Sequence, residues 1–175
     1  MAGPDGDRLS SSRQASLGVD LAQILTTHFA RLERALEVLP DQDLWWRPHA
    51  DCLSVGTILL HLEGNLRQWI LAGLGGIEDE RQRSQEFDGQ PVGNSIELLG
   101  RLADTQNQAA ALIAAIPERD LQQQRTIQGS EVSTQDAILH VVEHFSWHVG
   151  QAVWIAKARA GEAHGLAFYD DDQLG

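Results

Sequence analysis

The sequence predicts an all-α fold, a helical bundle built as one domain. Four segments repeat apolar residues at three- and four-residue steps, which is the pattern of one buried helix face. No segment alternates apolar and polar residues as a half-buried strand does. The chain has 175 residues, of which 42% are hydrophobic and 22% charged, and both values are typical of a single globular domain.

The chain begins with a polar stretch, residues 1–17, which is rich in Gly, Ser, Asp and Arg. Because this stretch has little to bury, we expect a flexible N-terminal tail, with the helical domain and a C-terminal extension over 18–175. The first helix is predicted over 19–39, and Pro40 ends it.

The second helix is predicted over 55–73, with Ser54 as its N-cap and Gly75-Gly76 after its end. The connection over 41–53 contains Trp45-Trp46. Two tryptophans in so short a loop need burial, so this loop is expected to fold over the bundle.

A polar segment over 75–93 is predicted to be a long linker. The third helix follows over 95–116, where Asn94 and Glu97 have the spacing of a capping box and Pro117 closes the helix.

The fourth helix is predicted over 134–160, between the N-cap Ser133 and the glycine Gly161. Before it, the polar connection over 118–132 allows a short extended piece at Arg125–Ile127. Three apolar residues of the C-terminal extension are placed to dock on the domain: Leu166, Phe168 and Tyr169.

Charge and composition limit the partners. The chain has 13 Lys and Arg against 25 Asp and Glu, a formal net charge of −12. Such a surface repels phosphate backbones and anionic lipid, so we expect neither nucleic acid nor membrane as a partner. The single cysteine excludes an intrachain disulfide, and the first residues lack an apolar secretory leader. The sequence therefore predicts a cytoplasmic protein.

Three of the seven histidines lie at four-residue steps in the fourth helix: His140, His144 and His148. Residues at that step are displaced by about 40° around the helix and one turn along it. Two imidazoles placed in this way can bind one metal ion, as in HExxH helices. Zinc accepts three histidines and keeps a fourth position open. His61, on an otherwise apolar face of the second helix, is the candidate third ligand.

A structural interpretation competes with the metal site. A single buried histidine is more often a core residue that has found a hydrogen-bond partner, and Glu143 or Gln151 could satisfy the histidines as surface residues. Spacing alone does not show that the second and fourth helices are neighbours. If they are, Asn65, four residues after His61, and Gln151, three residues after His148, are placed to orient water or substrate.

Other residues carry weaker functional predictions. Cys52 is expected to be a small buried residue rather than a nucleophile, and Trp45-Trp46 to pack in the loop rather than form a substrate platform. Glu63 lies about 200° around the helix from the candidate ligand, so we expect it to be solvated. A glycine within a helix costs about 1 kcal/mol of stability relative to alanine. We therefore interpret Gly150 as a residue kept small so that another helix can approach closely. Two further histidines are assigned core and loop roles: His28 and His49.

The ordered set of motifs resembles the DinB/YfiT-like superfamily. The sequence HFSWHVGQ at 144–151 is similar to the HxxxHxGQ signature of that superfamily. Upstream, LWWRP at 44–48, SVG at 54–56 and LHL at 60–62 resemble its first-to-second-helix region. The resemblance covers residues 19–172.

This resemblance implies an up-down-down-up four-helix bundle with a long crossover loop. It also implies a divalent metal, most often zinc or nickel, bound by His61, His144 and His148, and three neutral histidines leave iron as a candidate too. His140 is not a ligand in the family pattern and is assigned to the pocket wall. Members include metal-dependent hydrolases and thiol-dependent S-transferases and isomerases, which use a low-molecular-weight thiol such as bacillithiol or mycothiol. Members commonly form homodimers.

Two classes of function follow. The preferred hypothesis is a metal-dependent enzyme acting on a small molecule, by thiol S-transfer or by hydrolysis, with a thiolate or a water at the open metal position. The alternative is a non-catalytic, metal-stabilised helical bundle that binds a small ligand or a protein partner, with His140 or Gln151 as a fourth ligand. A di-iron bundle is excluded because no glutamate has a histidine three residues later.

Overall fold

The computed structural model describes residues 16–88, 90–162 and 165–167. In this part of the chain the protein is mostly helical, with one small two-stranded sheet. Five α-helices follow one another along the chain: α1 (Leu17–Val38), α2 (Val55–Leu66), the four-residue α3 (Arg83–Glu86), α4 (Ser95–Ala115) and α5 (Thr134–Ala160).

Short polar side chains set the N-termini of the four long helices, and three of these caps were predicted, all except Ser16. Four residues accept a backbone N–H in the first turn of the helix that follows: Ser16, Ser54, Asn94 and Ser133. The capping box between Asn94 and Glu97 is formed. Because Ser16 caps α1 and Leu17 begins it, these two residues belong to the helix and not to the predicted tail. The rest of 1–17 lies outside the described residues.

The second helix has an irregular end. α2 runs directly into a π-helical turn at Arg67–Ala72, so the predicted extent of 55–73 is confirmed but its last turn is wider than an α-helix. Such turns are rare and are often found at functional sites.

The segment after this turn is more than the polar linker predicted over 75–93. It contains α3, and the side chains of Arg81 and Glu86 are only 4% and 9% exposed. The segment therefore folds back against α2 and buries two charged groups there.

A β-hairpin precedes α5. Strand β1 (Gln124–Ile127) pairs antiparallel with β2 (Ser130–Ser133). The hairpin turn is Gln128-Gly129, with φ of 53° and 76°, the left-handed conformation that two-residue hairpin turns require. The extended piece at Arg125–Ile127 is confirmed, whereas its polar partner strand was not predicted.

The long helices share one apolar core. α1 packs against α4 and α5, and α2 packs against the same two helices. Leu166 is buried in this core as predicted, whereas Phe168 and Tyr169 lie outside the described residues. Among the described residues, no helix combines the length and the apolar content needed to cross a membrane.

The loop between α1 and α2 is fixed at both ends. The Gly56 N–H donates to the Leu44 carbonyl at 2.8 Å, and a Cβ on Gly56 would lie 2.8 Å from the Trp45 ring. Arg159 of α5 donates to Asp43 at 2.9 Å and covers the Trp46 ring at 4.7 Å. Both tryptophans pack against the core, so the loop-packing prediction is confirmed.

Candidate metal centre

Three histidines from two helices converge on one point. His61 of α2 and His144 of α5 place their Nε2 atoms 3.0 Å apart. His148, one turn further along α5, joins them, and one nitrogen from each ring lies within 4.8 Å of the others. Two nitrogens bound to one tetrahedral zinc are about 3.3 Å apart, so the spacing suits a shared ion.

Burial keeps the α5 histidines neutral. Burial, with the neighbouring imidazoles of His148 and His61 adding to it, lowers the pKa of His144 to about 3. Burial also lowers the pKa of His148, against the opposing hydrogen bond to Gln151. A metal binds the neutral imidazole, so these rings need not lose a proton at neutral pH to act as ligands.

The remaining nitrogen of His61 faces a buried ion pair. Its Nδ1 lies 2.8 Å from Glu86 Oε2. Arg81 donates from Nε and Nη2 to the two oxygens of Glu86, at 2.7 and 2.8 Å. Burial acts to raise the pKa of Glu86, but the hydrogen bonds from Arg81 and His61 outweigh it and hold that pKa below its usual value. Glu86 is therefore a carboxylate.

Gly64 makes room for this pair. It lies one turn after His61 on α2, and a Cβ at this position would overlap Glu86 Oε1 and lie 2.9 Å from Arg81 Nε. Contacts below 3 Å are closer than carbon atoms normally tolerate, so a side chain at residue 64 would force the carboxylate to shift from this position.

Gln151 supports His148 in a similar way. Its Oε1 lies 2.8 Å from His148 Nδ1, so the ring donates its Nδ1–H to the amide. Gln151 was predicted to orient water or substrate. In the structure it orients a candidate ligand.

His144 turns its Nε2 towards His61 and leaves its other ring nitrogen without a partner. Its Nδ1 is buried and has no hydrogen-bond partner among the described residues. Buried polar atoms are rarely left without a partner, and such an atom calls for an explanation such as a nearby water or ion. A set of three neutral imidazoles, without a carboxylate among them, suits zinc, nickel or iron(II).

Of the other two predicted pocket residues, His140 lies beside the cluster. The His140 ring packs on Trp69, with centroids 4.1 Å apart, and stacks on His144 at 5.6 Å. It therefore lies beside the three candidate ligands without joining them, consistent with a wall position. Asn65 is buried, one turn after His61.

Three other predictions need correction. Glu63 is not solvated, because it is 9% exposed and bound to Arg101 at 2.7 Å. Gly150 does not mediate close helix approach, since a Cβ there would meet nothing within 4 Å. Cys52 is half-buried instead of fully buried, with its Sγ 3.3 Å from His49 Nε2.

A cleft of about 510 Å³ lies between the 48–53 loop and α5, and none of the three histidines lines it. Gln151 lines it and also binds His148, so it connects the cleft to the cluster. Most of its walls are apolar, and two of its side chains are widely exposed: Trp147 at 68% and Trp154 at 61%.

Two site residues were missed from the sequence, Glu86 and Arg81. Both lie in the polar segment 75–93, whose composition is that of a linker. Neither has a helical spacing to any candidate ligand, so no pattern in the sequence pointed to them.

The fold and the site define a mostly helical protein with a candidate three-histidine metal centre. The chain matches the family described as "Protein of unknown function (DUF1572)" over residues 20–166. It belongs to the DUF1572 family. No curated protein matches the chain.

Proposed function

We propose that this protein is a metal-dependent enzyme of the DinB/YfiT-like class, acting on a small molecule by thiol S-transfer or by hydrolysis. Its four long helices would form the up-down-down-up bundle of that class. The observation that carries the proposal is the convergence of His61 with His144 and His148, although His61 and His144 are 83 residues apart in sequence.

The chemistry would come from a divalent ion, zinc or nickel in the first place and iron as a further candidate. Such an ion supplies a Lewis acid that lowers the pKa of a thiol or a water held beside it. The protein supplies three histidine ligands, of which His61 is buried and the other two are partly buried, and fixes two of them through Glu86 and Gln151.

The surroundings favour an open site over the non-catalytic, metal-stabilised alternative. That alternative needs His140 or Gln151 as a fourth ligand. His140 packs on Trp69, and the Gln151 oxygen is engaged by His148. A position for substrate is thereby left free at the centre.

The apolar cleft is the proposed binding site for the rest of the substrate. The cleft offers a substrate the aromatic surface of Trp147 and Trp154 and the aliphatic side chain of Leu53. Gln151 lines the cleft and also contacts His148 of the metal centre. An electrophile with an apolar or aromatic body would place its reactive atom near the histidines when its body fills this cleft.

Other expectations belong to the same proposal. We propose a cytoplasmic protein that forms a homodimer and uses a small thiol as co-substrate. The net charge of −12 argues against nucleic acid and anionic membranes as partners.

The test combines metal analysis with a thiol assay. Wild-type protein loaded with zinc or nickel is given a thiol panel and a chlorodinitrobenzene electrophile, and thioether formation is followed by absorbance. His148→Ala removes one of the three ligands. It is expected to lose the bound ion, and its rate is expected to fall at least tenfold.

His140→Ala is the matched control. It removes the same side chain from the same helix one turn before the cluster, and it is expected to retain the ion. Equal rates in metal-loaded wild type and His148→Ala would refute the metal-centred mechanism.

A further inference from the structure

We infer that Glu86, held in place by Arg81, is a positioning residue that fixes His61 for metal binding. The inference rests on the proposed metal centre and adds to it two residues from outside the histidine motifs. It begins from the contact between Glu86 Oε2 and His61 Nδ1 at 2.8 Å.

This contact determines where His61 carries its hydrogen. A carboxylate only accepts hydrogen bonds, so a separation of 2.8 Å requires a hydrogen on His61 Nδ1. Arg81 Nη2 also lies 3.2 Å from Nδ1, but it donates to Glu86 Oε2 at the shorter distance of 2.8 Å. In neutral His61 the lone pair is therefore on Nε2, the atom that faces His144.

Burial holds the contact between Glu86 and His61 in place. The side chains of His61, Glu86 and Arg81 are 7%, 9% and 4% exposed. Little of either charged group is open to water, and a buried charge without its partner would be costly. Glu86 therefore stays bound between Arg81 and His61, and the ring cannot rotate without breaking a charge-assisted hydrogen bond.

Arg81 is itself anchored to the rest of the fold. Its Nη1 donates to Gln68 Oε1 at 2.9 Å, and Gln68 lies in the π-helical turn. Gln128, at the tip of the hairpin, also donates to Gln68 Oε1. The chain of contacts runs from the hairpin through Gln68 and Arg81 to Glu86 and the candidate ligand.

The same role is filled differently at the other end of the cluster. His148 donates its Nδ1–H to the neutral amide of Gln151, whereas His61 donates to a carboxylate. A carboxylate acceptor increases the electron density on the opposite nitrogen and strengthens the bond to a metal. Glu86 is therefore expected to matter more for affinity than an amide in its place.

The experiment measures metal affinity in the full-length Glu86→Gln variant. Zinc and cobalt(II) dissociation constants are determined by competition with a chelator, alongside the melting temperature of the metal-free protein. Loss of a partner of this kind costs about 10- to 100-fold in metal affinity, which is the expected increase in Kd. A change in the visible spectrum of the cobalt form is expected with it, because the ligand field at His61 changes.

Glu63→Gln is the matched control. Glu63 is also a buried carboxylate paired with an arginine, Arg101, but it lies on α2 away from the cluster. It is expected to change the melting temperature while leaving Kd within about threefold. If Glu86→Gln does not fold, Arg81→Lys is tested in its place. Lysine keeps the charge but loses the bidentate contact with Glu86, so this variant is expected to weaken metal binding.

The outcomes separate the two proposals. If wild type binds the ion and both glutamine variants bind it equally well, the positioning role is overturned and the metal centre stands. If wild type binds neither zinc nor cobalt, the metal centre and the positioning role are both overturned.

Discussion

At residue 64 the absence of a side chain decides what can lie beside His61. The Glu86 carboxylate occupies the space that a Cβ would fill, and the Arg81 guanidinium lies next to it. The sequence predicts His61 as a candidate ligand but not this requirement, because a glycine within an apolar helix carries no sign of what approaches it.

We therefore expect Gly64→Ala to be destabilising and to weaken metal binding. The added methyl group has to displace the buried ion pair, at a cost of about 1–3 kcal/mol in the free energy of unfolding. Urea denaturation of the metal-free protein measures the first effect and a zinc competition titration the second.

Gly100→Ala provides the comparison for that substitution. Gly100 is also helical, in α4, but a Cβ there would meet nothing within 4 Å. Equal stability and equal zinc affinity in the two alanine variants would show that the space beside Glu86 is not restricted.

At the scale of elements, α5 combines the most predictable and the least predictable features of the protein. Its bounds, 134–160, were predicted to the residue, because Ser133 and Gly161 are local signals whose physics does not depend on the rest of the fold. That His61 lies beside it depends on how two helices pack, which spacing cannot show. The role of α3 could not be predicted at all, since Glu86 acquires its importance only from a contact 25 residues away along the chain.

Gly150 is a weak point within α5, and we expect Gly150→Ala to stabilise the protein. The position is helical and exposed, and a Cβ there would meet nothing within 4 Å. Alanine in place of glycine in a helix is worth about 0.5–1 kcal/mol. The expected rise in melting temperature is about 1–4 °C.

Differential scanning calorimetry of the metal-free protein measures this rise. A lower melting temperature in Gly150→Ala would mean that the backbone at residue 150 needs the freedom of a glycine.

At the scale of the whole molecule, the histidine cluster makes the metal-free protein sensitive to acid. The pKa of His144 is about 3 in the folded protein, against 6.5 for an ordinary histidine. Between these values the unfolded chain binds more protons than the folded one, so the folded state loses stability as pH falls from 6.5 towards 3. The lowered pKa values of His140 and His148 act in the same direction.

Glu86 adds to this loss at lower pH. Its pKa in the folded protein lies below the ordinary 4.5, so its contribution disappears as pH falls below that value. We expect urea midpoints in the presence of EDTA to fall steadily below pH 6.5. In His144→Gln the slope above pH 4.5 should be shallower, and an unchanged slope would contradict the assignment.

The exposed indoles of Trp147 and Trp154 give this chain a built-in optical probe. They are two of only five tryptophans, and both border the cleft next to Gln151. An indole in water fluoresces at longer wavelength than one shielded from it, and dissolved iodide quenches it readily. Any molecule that fills the cleft will shift the emission to the blue and protect it from iodide, so candidate compounds can be screened without a label and before any reaction is known.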